Sequence, residues 1–158
     1  MTHPGIATVY DVGEQDDAVF IAMERVRGQS LRRWQKSRHP WQECVRVYLQ
    51  AARGLAAAHG VGLVHRDFKP GNCIVDDRGR VRVLDFGVAR QAGEGSLDTP
   101  HDASPIASGE PVEGALTRTG EVLGTLAYMP LEQLEGRRTD ERSDQWSFCA
   151  SLYEALYH

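Results

Sequence analysis

The stretch from His65 to Gly87 limits this chain more than any other. It opens His65-Arg66-Asp67-Phe68-Lys69-Pro70-Gly71-Asn72 and closes Asp85-Phe86-Gly87. Two short apolar runs lie between. Cys73-Ile74-Val75 follows Asn72, and Val81-Arg82-Val83-Leu84 leads into Asp85. Asp76-Asp77-Arg78-Gly79 separates the runs and reads as a tight turn. The pattern predicts a β-hairpin that starts at Asn72 and ends at Asp85. A hairpin brings its two ends together, so two oxygen-bearing side chains would meet at one mouth.

The polar groups around that mouth suit one chemistry. Asp67 can accept a proton from a hydroxyl, and Lys69 places a positive charge beside it. Asn72 and Asp85 offer oxygen ligands to a hard cation. Phosphoryl transfer needs these parts, because its catalysis is mostly positioning and charge neutralisation around Mg²⁺ and the phosphates.

With those residues in order and at this spacing, the stretch resembles the catalytic core of the protein-kinase family. His65, Arg66, Asp67, Lys69 and Asn72 fit its H-R-D-x-K-x-x-N loop, and Asp85, Phe86 and Gly87 its D-F-G triplet. Lys69 is similar to the Ser/Thr-specific branch. The resemblance implies an α+β, protein-kinase-like fold in truncated form. Residues 1–27 would be the last strands of the N-lobe and the hinge. Residues 28–158 would be the first part of a mainly helical C-lobe. Catalytic roles would fall to Asp67, Lys69, Asn72, Asp85 and Thr125. ATP would meet Met23, Glu24, Val26, Lys69, Asn72, Ile74 and Asp85, with Mg²⁺ on Asn72 and Asp85.

The amino-terminal part fits this frame. Ile6–Val12 alternates loosely and ends in the polar Gly13-Glu14-Gln15-Asp16-Asp17, and Ala18–Met23 is a second strand candidate. Together they predict an antiparallel pair. By resemblance Met23 is the gatekeeper, and Glu24-Arg25-Val26 is the hinge whose backbone at Glu24 and Val26 meets the adenine edge. A plain hairpin with a polar exit is the alternative. Ile74 would pack beneath the adenine ring.

Residues 28–38 are basic and predict a short helix. Arg32, Arg33, Lys36 and Arg38 read as a solvated face, with a peptide-substrate contact as the alternative. From Pro40 to Gly60 the periodicity predicts a long amphipathic helix with Val45, Tyr48, Leu49, Ala52, Leu55, Ala56 and His59 at helical spacing. By resemblance this helix packs under the catalytic loop. His59 takes no catalytic role. His65 is expected to be a packing residue stacked on Phe86, with Val9 continuing the stack. Arg66 resembles the arginine that pairs with a phosphorylated activation loop.

Residues 91–116 are rich in Gly, Pro, Ser, Asp and Glu and predict a disordered loop. Its position makes it an insertion in the activation segment. Gly124-Thr125-Leu126-Ala127-Tyr128-Met129 resembles the substrate-docking loop, with Thr125 directed toward Asp67 and Lys69. Thr117 and Thr119 are candidate phosphorylation sites or ordinary loop threonines. Pro130-Leu131-Glu132 departs from the usual A-P-E by a shifted proline. Ser143-Asp144 opens a last helix, with Ser143 as N-cap. Asp144 is expected to accept backbone hydrogen bonds from the catalytic loop.

Composition narrows the partners. A net charge of −4 gives no electrostatic case for nucleic acid. No apolar run approaches a membrane span, and Met1-Thr2-His3-Pro4-Gly5 lacks the regions of a signal peptide. A cytoplasmic location is the expectation, with any membrane anchor of the parent protein outside this segment. Cys44, Cys73 and Cys149 read as buried free thiols rather than disulfides or zinc ligands.

The sequence contains no Gly-rich phosphate loop, no V-A-I-K-type lysine and no partner glutamate ahead of the hinge. These would precede Met1, and the last C-lobe helices would follow His158. The expected function is therefore ATP-dependent phosphorylation of protein Ser/Thr hydroxyls by a parent domain, with this chain inactive alone. Dimerisation for autophosphorylation belongs to the same expectation. The alternatives are a non-catalytic kinase-like binding module or gene remnant, and a small-molecule phosphotransferase of kinase-like fold. The combination of Lys-Pro-Gly-Asn, Gly-Thr-Leu-Ala-Tyr-Met and Ser-Asp-Gln-Trp-Ser-Phe is similar to bacterial kinases of the eukaryotic type.

Overall fold

The computed structural model describes residues 2–15, 18–86 and 126–157, and its buried cluster draws on residues between Ile6 and Phe86, with Phe148, Leu152 and Ala155 packed against it. β1 (Val9–Gln15) and β2 (Ala18–Met23) form the expected antiparallel pair, in register from Val9↔Met23 to Gln15↔Ala18 with a bulge near Val9. Gly13 sits opposite Phe20, and a Cβ there would run into the Phe20 ring. The ring thus covers the bare backbone.

The first strand differs from the expected Ile6–Val12. It starts at Val9 and runs on through Gly13-Glu14-Gln15. Residues 5–7 pair elsewhere. Val83 N–H donates to Gly5 O at 2.8 Å, and Ala7 N–H donates to Val83 O at 2.9 Å. A buried strand edge with unpaired N–H and C=O groups is costly, and this segment satisfies it. Ile6 is consequently part of the buried cluster.

A second sheet has the order β3-β4-β5, all antiparallel: β3 (Gln29–Ser30), β4 (Cys73–Val75) and β5 (Val81–Val83). The predicted hairpin is β4–β5, with Cys73 opposite Val83. Its turn is built by Asp76, whose Oδ1 accepts the N–H groups of Arg78 and Arg80, both at 2.9 Å. Gly79 supplies the left-handed residue at φ 72°. The helix expected within residues 28–38 is only α1 (Leu31–Trp34), capped by Ser30 Oγ, which accepts from Arg33 N–H at 3.2 Å.

The long helix is α2 (Trp41–His59), with Pro40 as N-cap residue and Gly60 as C-cap. Its buried face is Cys44, Val47, Tyr48, Ala51, Gly54, Leu55 and Ala58. The expected face was offset from this: Val45, Leu49 and Ala56 are exposed, and only Tyr48 and Leu55 of the predicted set are buried. The reason is close packing through small residues. A Cβ on Gly54 would lie 2.8 Å from Gly5 O and 3.2 Å from the Val83 side chain. The helix therefore turns its small-residue stripe to the sheet and leaves Val45 and Leu49 outside.

α3 (Leu131–Leu134) and α4 (Glu141–Tyr157) complete the described chain. α4 begins before the expected Ser143. Asp140 Oδ1 accepts from Arg142 N–H at 2.8 Å, while Ser143 Oγ accepts from Asp140 N–H at 3.3 Å. Asp140 is thus the capping side chain and Ser143 its reciprocal partner, a capping-box arrangement. The helix buries Ser143, Asp144, Ser147 and Ser151. Ser147 and Ser151 hydroxyls donate to carbonyls one turn back, at 3.1 and 2.7 Å, so neither hydroxyl is buried unpaired. Cys44 and Cys73 are buried free thiols as expected, but Cys149 is exposed on α4.

Candidate active site

The loop between α2 and β4 is held by one buried carboxylate. Asp144 Oδ2 accepts from His65 N–H and Oδ1 from Arg66 N–H, each at 2.7 Å. His59 Nε2 also lies 2.7 Å from Asp144 Oδ2. Arg66 is left-handed at φ 66°, a cost a non-glycine residue bears only where its surroundings fix it. Asp144 from behind and Gln133, whose Nε2 donates to Arg66 O at 2.9 Å, provide that fixing.

His65 joins the loop to the segment after β5. Its Nε2 lies 2.9 Å from Leu84 O, and its Nδ1 accepts Asp67 N–H at 3.3 Å. The two partners require the neutral tautomer protonated on Nε2. Burial lowers the His65 pKa, opposed by the nearby Asp144 and Asp67 charges and the Leu84 bond. Its ring packs 4.7 Å from Phe86 and 5.9 Å from Phe68, the structural role expected for it. Val9 lies on β1 and is 42% exposed.

Asp67 presents a carboxylate near the surface. Lys69 Nζ donates to its Oδ2 at 2.8 Å. Asn72 Nδ2 donates to Asp67 O at 2.8 Å and to Oδ2 at 3.1 Å. The amide nitrogen of Asn72 is thereby occupied, which leaves Oδ1 as the atom it can offer a cation. Leu84 N–H donates to Asn72 O at 2.8 Å, so the hairpin brings Asn72 beside the residue preceding Asp85. Asp85 is left-handed at φ 54° and exposed, and its carboxylate has no hydrogen bond or ion pair among the described residues. Together the two side chains offer hard oxygens of the kind that Mg²⁺ accepts alongside water and phosphate. Among the described residues no group of three His, Cys, Asp or Glu is placed to hold a metal, so a cation here would need those outside ligands.

The expected nucleotide-facing residues lie at the exit of β2 and on β4. Glu24 N–H donates to Thr8 O at 2.7 Å, leaving its carbonyl available. Its side chain pairs with Arg82 at 2.8 Å. Val26 makes no backbone hydrogen bond among the described residues. Met23 and Ile74 are both partly buried. Thr125, Gly87, Thr117, Thr119 and the 91–116 segment lie outside the described residues.

Sequence reasoning passed over three supporting groups. His59 and Gln133 brace the loop as described above. Glu154 on α4 accepts from Tyr128 O–H at 2.5 Å and from Gln35 Nε2 at 2.8 Å, which ties the expected docking loop to α4. Burial pushes the Tyr128 phenol up, and the Glu154 bond adds to the shift. Glu132 accepts from Ser143 O–H at 2.6 Å, which holds its carboxyl below its ordinary range. Each of these polar pairs joins residues distant in sequence, and spacing carries no signal for them.

Comparison with known proteins points the same way as the geometry. The protein kinase domain family matches residues 1–158. A serine/threonine-protein kinase of Myxococcus xanthus, pkn3, is 38% identical over 99% of this chain, and PknA of Mycobacterium tuberculosis is 34% identical over 99%. PrkC of Bacillus subtilis, also named a serine/threonine-protein kinase, is 31% identical over the same share. The chain spans 27%, 33% and 22% of the lengths of these three proteins.

Proposed function

The chain belongs to the protein kinase domain family, and on that premise we propose that it carries the catalytic centre of a domain that transfers the γ-phosphoryl group of ATP to protein serine or threonine hydroxyls. One observation carries the reading: Asp67, Lys69 and Asn72 form a hydrogen-bonded cluster, and Leu84, the neighbour of Asp85, donates its N–H to Asn72 O. Asp67 orients the acceptor hydroxyl and accepts its proton. Lys69, already on Asp67, offsets negative charge at the transferred group. Asn72 and Asp85 would hold Mg²⁺, which when bound supplies neutralisation of phosphate charge.

The domain layout of the reading follows the expectation. Residues 1–27 supply the end of the N-lobe and the hinge, residues 28–158 part of the C-lobe, and residues 91–116 an insertion in the activation segment. The adenine edge meets the backbone at Glu24 and Val26 beside Met23, with Ile74 beneath. Thr125 helps select the hydroxyl acceptor. Arg66 supports a regulatory role, because its Nε is buried with no hydrogen-bond partner among the described residues. A phosphate on Thr117 or Thr119 would satisfy such a group. No helix of the described residues is long and apolar enough to cross a membrane. A cytoplasmic location, and dimerisation for autophosphorylation, belong to this reading.

Nucleotide binding by the full-length protein tests it. Asp85→Asn should weaken Mg²⁺-dependent ATP binding by at least about tenfold, since a charged ligand to the cation is lost. Binding unchanged by Asp85→Asn contradicts the assignment.

A further inference from the structure

A second polar depression, of about 300 Å³, lies between the segment after β2 and the β4–β5 turn. Five arginines and three carboxylates line it. Two of the arginines are spent: Arg80 on Asp76 at 2.7 Å and Arg82 on Glu24 at 2.8 Å. The other three, Arg25, Arg27 and Arg78, are exposed and have no ion pair among the described residues. Only Asp77 is left to oppose them, a local surplus of three minus one, or +2. The chain as a whole carries −4, so the depression is a positive spot on an acidic protein.

The two segments that carry these arginines share a stiff frame. Gly28 has φ 148°, and a Cβ on it would run into Val75 O. The chain leaving the hinge therefore runs in backbone contact with the end of β4. The turn that follows β4 is fixed in its own right by the bonds of Asp76. Arg25 and Arg27 on one side and Arg78 on the other thus project from anchored backbone.

We propose that this depression binds the phosphate of a phosphorylated serine or threonine on a peptide segment. A phosphomonoester carries close to two negative charges near neutral pH, which matches the surplus. Planar guanidinium forks pair with phosphate oxygens through two parallel hydrogen bonds. The volume is at the small end for ligand sites, enough for a phosphorylated side chain and too small for an extended cofactor. The lining excludes Asp67, Lys69, Asn72 and Asp85, and it shares only Glu24 and Val26 with the proposed adenine edge, whose contacts are to their backbone.

Fluorescence anisotropy with a labelled, alanine-flanked phosphoserine peptide tests the proposal, using the full-length protein. The phosphopeptide should bind, and its serine and glutamate counterparts should bind at least about tenfold more weakly. The double variant Arg27→Ala/Arg78→Ala should weaken phosphopeptide binding about tenfold, and Arg27→Lys/Arg78→Lys should restore part of it. Inorganic phosphate should compete only at concentrations well above the peptide. Any of four results overturns the proposal. These are no phosphopeptide binding, equal binding of the glutamate peptide, unchanged affinity in the alanine variant, or free phosphate that binds as tightly as the peptide.

Discussion

Asp144 on α4 accepts the backbone N–H of His65 at 2.7 Å, across 79 residues of sequence. The same carboxylate accepts Arg66 N–H and meets the His59 ring, and its side chain is 1% exposed. The loop that carries Asp67 is therefore positioned by a group on another element. Asp144→Asn turns one acceptor into a donor that faces an N–H. The expected loss is about 3 kcal/mol of unfolding free energy. Urea denaturation measures it, and a loss below about 1 kcal/mol would contradict the bracing role.

Gly28 lies between β2 and β3. At φ 148°, with Val75 O where a Cβ would go, it has no room for a side chain. Gly28→Ala should destabilise the fold by roughly 1–3 kcal/mol or shift the segment that carries Val26. Thermal unfolding together with ATP affinity checks this. A variant unchanged in both would show that the segment is loosely seated.

His65 should stay neutral in the folded protein as pH falls through its ordinary value of 6.5, since burial lowers its pKa. The unfolded chain takes up the proton first. The stability that His65 contributes is therefore present above pH 6.5 and is lost on acidification below it. Denaturation at stepped pH, with ¹⁵N shifts reporting the Nε2-protonated tautomer, tests this. A folded-state His65 that titrates above 6.5 would refute it.

The three cysteines should separate by reactivity. Cys149 is exposed, while burial raises the pKa of Cys44 and, far more strongly, of the fully enclosed Cys73. Thiolate is the reacting form, so a disulfide reagent such as DTNB should modify Cys149 first and reach the other two only after unfolding. Fast modification of Cys73 in the native protein would contradict the packing described.

Much of this arrangement was legible in the sequence, for reasons that differ by element. The β4–β5 hairpin was readable because its signals are local: two apolar runs, an Asp-initiated turn and a glycine. The same is true of the cluster at Asp67, Lys69 and Asn72, which lies within one short loop. The face of α2 was offset because hydropathy favours Val45 and Leu49, whereas backbone approach at Gly54 decides which side packs. Ile6 left the expected strand because the edge of β5 needed partners, which is a tertiary demand. His59, Gln133 and Glu154 were missed because their partners lie on other elements. Asp144 was found only through resemblance.

The central claim is that Asp67 is the base for phosphoryl transfer. The most direct test measures ³²P transfer from γ-labelled ATP to a serine-containing protein, by the full-length protein and its Asp67→Asn variant. The variant should bind ATP as the parent does and transfer roughly 10²–10⁴-fold more slowly, the range expected when a general base is removed. Transfer at the parent rate by Asp67→Asn would contradict the account.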